Sequence, residues 1–370
     1  MGKTMRALGL MSGTSMDGID VALLETDGEN LVQRGPALSY PYSAPFRAQL
    51  RAALVEASSL GGRDERPGSL RLTEQYLTDL HAEAVTHFLE DLRIGRESID
   101  VVGFHGHTVL HAPDRRLTVQ IGDGRGLARA IGIDVVHDLR AADVAAGGQG
   151  APLAPIYHRA LVAKLRPPAA VVNIGGVANV TWVGSAAPED GALLAFDTGP
   201  GNALIDDWML ARAGAPCDAD GACAAAGKVD EPALARLMSH PFFAAPLPKS
   251  LDRNAFAADA VQHLSTEHGA ATLTAFTAAA IAAARANMPE QPGTWVICGG
   301  GRKNKTLMSM IAGRVENAVV PAEAVGLDGD AVEAEAWAYL AVRSRKGLPI
   351  TFPGTTGVPL PMTGGMLATK

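Results

Sequence analysis

Two stretches of the chain begin on the same plan, with three short apolar runs that predict strands. The first has runs at residues 6–11, 18–26 and about 31–40, and the second at 170–174, 177–183 and 193–196. Helical periodicity and further buried runs follow each set, with helices predicted at 45–59, 69–93, 200–213, 229–239, 269–287 and 329–346, and strands at 99–104, 117–121 and 295–298. No sequence repeat accompanies this duplication of architecture. The pattern predicts an α/β fold of two domains that face each other across a cleft.

The length of the chain supports this division, since 370 residues exceed what one hydrophobic core usually organises. A glycine-rich segment at 146–150 precedes the second set of strands. We therefore place the first domain at 1–145 and the second at 146–346. The tail at 347–370 is a candidate to complete the first domain.

Composition excludes several classes of protein. Hydrophobic residues make up 47% and charged residues 19%, and the net charge is −7 without a long Lys or Arg run, so no nucleic-acid surface is expected. Three cysteines without a C-x-x-C pair support neither a disulfide framework nor a zinc knuckle. The Ala-rich run at 270–285 is broken by Thr and predicts a packed helix. No signal peptide or membrane partner is predicted, so a cytoplasmic location is the expectation.

Three glycine-rich loops, at 12–18, 173–179 and 299–303, adjoin predicted strands. Glycines at strand ends let backbone N–H groups approach phosphate oxygens, and Ser12, Thr14 and Ser15 add hydroxyl donors. One such loop is typical of an ordinary turn. Two at corresponding hairpins, with a third after a later strand, favour phosphate binding. Neither a Walker loop nor a G-x-G-x-x-G fingerprint is present.

An acid, Asp197, ends a predicted strand in the stretch FDTGPGN, just before a predicted helix. One interpretation is that Asp197 or Thr198 caps that helix, with Pro200 near its first turn. The other is a carboxylate at the mouth of a cleft that accepts a proton from a hydroxyl or water. The residue types suit both interpretations.

Six motifs occur here in order, and together they resemble the anhydro-N-acetylmuramic acid kinase family: GLMSGTSMDGIDVALLE, TVQIGDG, DVAAGGQGAPLAP, VVNIGGVANVT, FDTGPGNALIDDW and VICGGGRKN. The resemblance extends from about Leu8 to the tail motif FPGTTGVPLPMTGG. It implies two ribonuclease-H-like domains of the actin-like ATPase class around a central nucleotide and substrate cleft. That implication agrees with the duplicated strand pattern.

The resemblance also implies a reaction. ATP and Mg²⁺ would serve to open 1,6-anhydro-N-acetylmuramic acid with water and to phosphorylate the freed O6, as in cell-wall recycling. Asp197 corresponds to the family's catalytic acid, which takes a proton from the attacking water. The residues implied in binding ATP are Gly13, Thr14, Ser15, Met16, Asp17, Gly18, Ile19 and Asp20 in the first domain, with Gly175, Gly176, Gly299, Gly300 and Gly301 in the second. No protein metal ligand is assigned.

For the sugar, the resemblance implies a site made by His105, Gln120, Gln149, Asn202, Lys249, Arg253 and Glu333. The lactyl carboxylate of the substrate requires a basic partner, for which Lys249, Arg253 and Arg140 are candidates. Many family members have S-T-G-R where this chain has Ser250-Leu251-Asp252-Arg253, so the contacts of that loop are open. Glu333 is equally well explained as an exposed acid of a helix.

Other hypotheses remain at this point. His105 and His107, in HGHTVLH, have metal-ligand spacing, but the sequence supplies no clear further ligands for a metal-dependent hydrolase. His107 also departs from the family's usual H-G-Q-T. A nucleotide-switched scaffold protein is a third hypothesis, which a sugar-independent ATPase rate would favour. A homodimer is a further expectation, and domain closure around both substrates is another.

Overall fold

The computed structural model describes residues 3–13, 15–251 and 255–370. Its strands, in chain order, are β1 (Met5–Met11), β2 (Gly18–Thr26), β3 (Val32–Pro41), β4 (Val101–Phe104), β5 (His107–Ala112), β6 (Leu117–Ile121), β7 (Val135–His137), β8 (Ala169–Ile174), β9 (Val177–Val183), β10 (Leu193–Pro200), β11 (Thr294–Cys298), β12 (Ala318–Pro321) and β13 (Met366–Ala368). Its helices are α1 (Ala44–Ala57), α2 (Leu70–Asp91), α3 (Gly124–Ile131), α4 (Ala141–Ala145), α5 (Pro155–Leu161), α6 (Ala203–Ala213), α7 (Ala222–Ala226), α8 (Glu231–Met238), α9 (Thr266–Ala283), α10 (Lys305–Val315), α11 (Val332–Arg345) and α12 (Pro353–Thr356).

These elements divide into two compact units. The first unit consists of Met1–Leu161 with Ala331–Lys370, and the second of Val162–Asp330. This division differs from the predicted boundaries at 145/146 and 346/347, because α5 and α11 belong to the first unit. Tyr157 on α5 donates a 2.7 Å hydrogen bond to Glu335 on α11, which is buried. The tail that was a candidate to complete the first domain lies in that unit together with α11.

The first unit is built on a six-stranded sheet of order β13-β7-β4-β1-β2-β3. Strands β1, β2 and β3 are antiparallel, whereas β4 is parallel to β1 and β7 is parallel to β4. Helix α11 packs on one face at two glycines, Gly9 and Gly103, where any Cβ would overlap its backbone. Leu8 and Leu10 point to the opposite face, because successive side chains of a strand alternate, and join the core under α1 and α2.

The second unit repeats this topology in a five-stranded sheet of order β10-β9-β8-β11-β12. Strands β8, β9 and β10 are antiparallel, and β11 and β12 continue the sheet in parallel from β8. The order β3-β2-β1-β4-β7 in the first unit therefore corresponds to β10-β9-β8-β11-β12 in the second. In both, the third, second and first strands along the chain are followed by the fourth and fifth, which is the ribonuclease-H-like arrangement. The predicted fold class is confirmed.

Helix α9 forms the centre of the second unit. The stretch Thr266–Asn287 is long and apolar enough to cross a membrane by length and composition, but 78% of its most apolar window is buried inside the unit. Phe276 and Ile281 on this helix are fully buried in the two apolar clusters of the unit. Burial on all sides is what a core helix requires, and the predicted packed helix is confirmed.

Candidate active site

The first predicted phosphate loop is the turn that joins β1 to β2. The N–H of Met16 donates to the carbonyl of Gly13 over 3.1 Å, and the backbone of Met16 takes the left-handed conformation at φ 55°. The Ser15 hydroxyl donates to Asp17 Oδ1 over 2.6 Å. Thr14 lies outside the described residues. Gly13, Ser15, Met16 and Asp17 therefore form one short turn that is closed by its own atoms.

Gly18, Ile19 and Asp20 of the predicted phosphate segment belong to β2, where they contribute to strand pairing and the core. A Cβ on Gly18 would lie 2.5 Å from the Tyr40 carbonyl oxygen, so the pairing of β2 with β3 requires glycine there. The Ile19 side chain is 2% exposed in the core, which leaves only its backbone for a ligand. Asp20 accepts a hydrogen bond from the Ser39 hydroxyl.

The Ser12 hydroxyl is not a phosphate donor, contrary to the prediction from the sequence. Ser12 is 1% exposed, and its Oγ accepts a 2.8 Å hydrogen bond from the Tyr42 hydroxyl. The same Oγ lies 3.0 Å from His107 Nδ1. Burial lowers the pKa of His107 to about 4, so the ring is neutral near pH 7. Ser12 is an anchor that fixes the base of the turn.

In the second unit, the turn Gly175-Gly176 between β8 and β9 contacts the segment that follows Asp197. The N–H groups of Gly201 and Ala203 donate to the Gly176 carbonyl over 2.9 and 3.2 Å, and that of Asn202 donates to the Gly175 carbonyl over 2.7 Å. A Cβ on Gly201 would overlap the Gly175 carbonyl oxygen. Backbone hydrogen bonds thus join two motifs of the sequence, VVNIGGVANVT and FDTGPGNALIDDW.

The third glycine loop, Gly299–Gly301, reaches the same place. A Cβ on Gly299 would overlap the Asn173 side chain, and one on Gly301 would overlap Ile174 at the end of β8. Asn202, one of the predicted sugar ligands, donates to the Ile174 carbonyl over 3.2 Å. Glycine is therefore required at positions 299 and 301 by close packing against the end of β8.

Asp197 is fixed by the backbone of residues 249–251. Its N–H donates to the Lys249 carbonyl over 3.1 Å, and its Oδ2 accepts from the Leu251 N–H over 2.7 Å. Burial raises the pKa of Asp197 to about 6, although the Leu251 hydrogen bond acts in the opposite direction. The strand continues past Asp197 to Pro200 with an irregularity between Asp197 and Gly199. Asp197 does not cap α6, because that helix begins at Ala203.

Lys249, whose carbonyl accepts from the Asp197 N–H, has its ammonium group near two aromatic rings. Its Nζ lies 4.7 Å from the centre of the Phe242 ring and 6.0 Å from that of Phe196. Burial lowers the pKa of its ammonium group. Arg253, the other predicted cation of this loop, lies outside the described residues.

Arg140 is half-buried in the first unit and contacts His105, one of the predicted sugar residues. Arg140 Nε donates to His105 Nε2 over 3.1 Å, and Arg140 Nη1 donates to the Gly150 carbonyl over 2.7 Å. The His105 ring stacks on Trp337 at 4.4 Å, and the Arg140 guanidinium lies 5.1 Å from the same indole. The sequence offered Arg140 only as one candidate cation. Trp337 was missed, because a tryptophan on a core-facing helix gives no functional signal in sequence.

The charge of Arg140 is only partly compensated. Burial lowers its pKa to about 10, although the carboxylates of Glu333 and Asp143 raise it. Glu333 is exposed in the first turn of α11. Gln149 directly precedes Gly150, whose carbonyl accepts from Arg140. The Gln149 N–H donates to the Thr356 carbonyl over 2.7 Å. Desolvation lowers the pKa of this guanidinium more than the two carboxylates raise it. An anionic ligand would add a compensating charge, so the group is suited to bind one.

The H-x-H pair of the first unit makes other contacts than metal coordination. His107 Nδ1 is bound to Ser12, and His105 Nε2 accepts from Arg140. In the part of the chain that the structure describes, no group of three or more His, Cys, Asp or Glu side chains is placed to hold a metal ion.

Two units of one ribonuclease-H-like topology, with glycine loops at corresponding hairpins, place the chain in the actin-like ATPase and sugar kinase class. The chain belongs to the anhydro-N-acetylmuramic acid kinase family, whose model matches residues 5–369. Anhydro-N-acetylmuramic acid kinases from Azorhizobium caulinodans and from Rhodopseudomonas palustris (strain BisB18) are 57% and 54% identical to it. In both comparisons 98% of this chain is covered, with 99% and 100% of the relative. The chain is therefore a kinase, and the family implies the use of ATP.

Solved structures show only remote similarity. The (R)-2-hydroxyglutaryl-CoA dehydratase component A of Acidaminococcus fermentans has 12% sequence identity and a TM-score of 0.48, over 92% of this chain and 99% of that one. Xylulose kinase from Lactobacillus acidophilus has 11% identity and a TM-score of 0.41, over 92% and 89%.

Proposed function

We propose that this chain hydrolytically opens 1,6-anhydro-N-acetylmuramic acid and phosphorylates O6, giving N-acetylmuramic acid 6-phosphate and ADP in the recycling of cell-wall sugars. Membership of the family supports the reaction class. The observation that carries the mechanism is Asp197, a carboxylate fixed by two backbone contacts with its pKa raised to about 6. A base with a pKa just below the working pH is ionised and still a competent proton acceptor.

In the proposed reaction, Asp197 Oδ1 or Oδ2 removes a proton from the water that attacks the anomeric carbon. The new C1–O bond forms as the C1–O6 bond breaks, and the O6 electron pair goes to the γ-phosphorus while the bond to the leaving ADP breaks. Asp197 holds the proton until it is released to solvent. One acid suffices, because O6 passes to phosphorus and needs no protonation, whereas ordinary glycosidases use two carboxylates.

The glycine turns of both units are proposed to bind the phosphates of ATP. Gly13–Asp20 would supply the backbone N–H groups of a short turn, and Gly175-Gly176 with Gly299–Gly301 would supply backbone N–H groups at the ends of β8 and β11. Bound Mg²⁺ would neutralise charge that develops on the transferred phosphoryl group. Asp17 and Asp20 are carboxylates of the phosphate segment, and carboxylate oxygen is a ligand that Mg²⁺ prefers.

We assign the lactyl carboxylate of the substrate to Arg140. Its guanidinium is already oriented by His105, Gly150 and Trp337, so little side-chain entropy remains to be lost when a carboxylate binds. Its charge is also incompletely balanced by Glu333 and Asp143. Lys249, among aromatic rings in the second unit, is the alternative cation.

The test is a coupled assay with 1,6-anhydro-N-acetylmuramic acid, ATP and Mg²⁺. Equal amounts of ADP and a sugar 6-phosphate are expected, and oxygen from ¹⁸O-labelled water should appear at C1. Folded protein that gives no sugar phosphate would refute the proposal. ATP hydrolysis at the same rate without sugar would instead support the scaffold hypothesis.

A further inference from the structure

The GGQG loop, residues 147–150, follows α4 in the first unit. Two of its glycines take backbone angles that favour glycine, with φ 95° at Gly147 and 67° at Gly150. The loop belongs to neither a helix nor a strand, so other contacts have to hold its backbone. It carries Gln149, which the family resemblance implies in binding the sugar. The contacts that hold this loop therefore bear on the site.

The first of these contacts is made by Asp143 on α4, whose side chain is buried. Its Oδ1 accepts from the Gly150 N–H over 2.6 Å, and its Oδ2 accepts from the Thr356 hydroxyl over 2.6 Å. Short hydrogen bonds to a carboxylate are among the stronger ones in proteins. The loop also passes close to this carboxylate at Gly148, where a Cβ would overlap Asp143 Oδ1. Asp143 thus joins the GGQG loop to a residue 213 positions further along the chain.

That distant residue, Thr356, ends the short helix α12 in the tail motif FPGTTGVPLPMTGG. It is fully buried. Its hydroxyl donates to Asp143, and its carbonyl accepts from the Gln149 N–H over 2.7 Å. The tail therefore holds two consecutive loop residues, Gln149 directly and Gly150 through Asp143.

The loop in turn orients Arg140. The Gly150 N–H is held by Asp143, and the Gly150 carbonyl accepts from Arg140 Nη1 over 2.7 Å. A shift of Gly150 would move the acceptor that fixes the guanidinium. Displacements of about 1 Å in a binding group can cost up to about a hundred-fold in activity. A chain of hydrogen bonds thus runs from Thr356 through Asp143 and Gly150 to Arg140.

We propose that Asp143 and Thr356 are positioning residues for the sugar, which hold Gln149 and Arg140 in the orientation that receives the lactyl-bearing ring. Neither residue touches the substrate in this proposal. The tail motif, which has no other assigned role, would act through this buried pair. The inference rests on the proposed function, in which Arg140 binds the lactyl carboxylate.

The main test variant is Thr356→Val, which keeps the size of the side chain, removes the hydroxyl and leaves every charge in place. It should raise KM for 1,6-anhydro-N-acetylmuramic acid about ten-fold, with little change in KM for ATP. Its preference for this sugar over an anhydro sugar without the lactyl group should fall. Thr356→Ser keeps the hydroxyl and should keep most of the preference. Asp143→Asn offers one acceptor oxygen to two donors, so its effect should be at least as large as that of Thr356→Val.

The matched control is Thr355→Val, one residue earlier on α12. Thr355 is also buried, and its hydroxyl donates to the Phe352 carbonyl over 3.0 Å. This variant should lower the melting temperature but leave the sugar preference unchanged. The inference is overturned if Thr355→Val alters the preference as much as Thr356→Val does, or if Thr356→Ser is as impaired as Thr356→Val. An unchanged preference in folded Thr356→Val and Asp143→Asn overturns it as well.

Hydrogen exchange tests the hold on the loop without any sugar. The amides of residues 147–150 should exchange faster in Thr356→Val than in wild type, and equal exchange rates would overturn the inference. If wild type turns over neither sugar, the proposed function fails, and calorimetric titration of 1,6-anhydro-N-acetylmuramic acid then decides the positioning role. Weaker binding to Thr356→Val than to wild type and Thr355→Val supports it, whereas equal affinity, or no binding to wild type, overturns it.

Discussion

The two units share one sheet topology but fix their glycine loops in different ways. In the first unit side chains hold the β1–β2 turn, with Ser12 between Tyr42 and His107. In the second unit backbone holds backbone, as Gly201 donates to the carbonyl of Gly176. Side-chain anchoring can be altered by many substitutions with a graded loss, whereas backbone anchoring tolerates side-chain changes and fails where a Cβ is added.

The units also divide the polar chemistry. The second unit carries Asp197, whose pKa is raised to about 6, and the first carries the cluster of Arg140, His105 and Asp143. Changes at Asp197 are therefore expected to act on kcat, and changes in the first-unit cluster to act on KM and on the choice of sugar.

The largest effect is expected at Asp197. Asp197→Asn keeps the shape but removes the base, so kcat should fall about 10²- to 10⁴-fold with little change in ATP affinity. In wild type, kcat/KM should rise with pH and level off above about 6, where Asp197 is ionised. The matched control is Asp190→Asn, at an exposed acid of the same unit. An active Asp197→Asn enzyme would remove the proposed base.

The same variant should be more thermostable at pH 7. A carboxyl whose folded pKa is raised from 3.8 to about 6 binds its proton more tightly in the folded state, so its contribution to stability is lost as the pH rises through 6. Asparagine does not titrate, so the melting temperature of the variant should exceed that of wild type at pH 7. The two should converge below about pH 4. A gap that is independent of pH would contradict the raised pKa.

Next in size is a glycine of the second unit. Gly201→Ala should lower the free energy of unfolding by about 1–3 kcal/mol, because its Cβ would overlap the Gly175 carbonyl oxygen. Denaturant unfolding measures the change. Gly313→Ala on α10, where nothing lies within 4 Å of the added Cβ, should not destabilise the protein. Equal effects in both variants would show that the backbone junction is not under steric constraint.

In the first unit, Arg140→Met should raise KM for 1,6-anhydro-N-acetylmuramic acid about ten-fold or more, since a hydrogen bond to a charged group contributes roughly 1.5–3 kcal/mol. The effect should be absent for an anhydro sugar without the lactyl group. Lys249→Met is the comparison variant in the second unit. If Lys249→Met abolishes the lactyl preference and Arg140→Met does not, the assignment of the carboxylate passes to Lys249.

The smallest effect is expected at the side-chain anchor. Ser12→Ala leaves the Tyr42 hydroxyl and His107 Nδ1 without their shared partner and should lower the free energy of unfolding by about 1 kcal/mol. Ser15→Ala, at the exposed tip of the same turn, should cost less stability. If Ser12→Ala is as stable as wild type, the turn is not anchored by this hydroxyl.

Sequence reasoning found the strands with strong apolar patterns and missed short ones. It placed β1, β2 and β3 and their counterparts β8, β9 and β10 within a few residues, because most of them are apolar runs bounded by small or polar residues. It missed β7 and β12, the outermost parallel strands of the shared order, since three or four residues carry too little pattern. It also missed α3 and α10.

For the site, the motifs named most residues but not their contacts. Ser12 was predicted to bind phosphate and is instead a buried anchor, because nothing in the sequence indicates that Tyr42 and His107 meet there. The roles of Asp197 and of the glycine segments as ligand-binding residues stay predictions.

The sequence alone determined the duplicated α/β plan and the family, because these depend on local periodicity and on motifs whose residues are close in the chain. Only the tertiary structure decided the pKa values and the hydrogen bonds of the polar side chains. The raised pKa of Asp197 comes from burial, and the hydrogen bond between Asp143 and Thr356 joins residues 213 positions apart. Desolvation and hydrogen bonding depend on residues distant in sequence, so no local pattern encodes them.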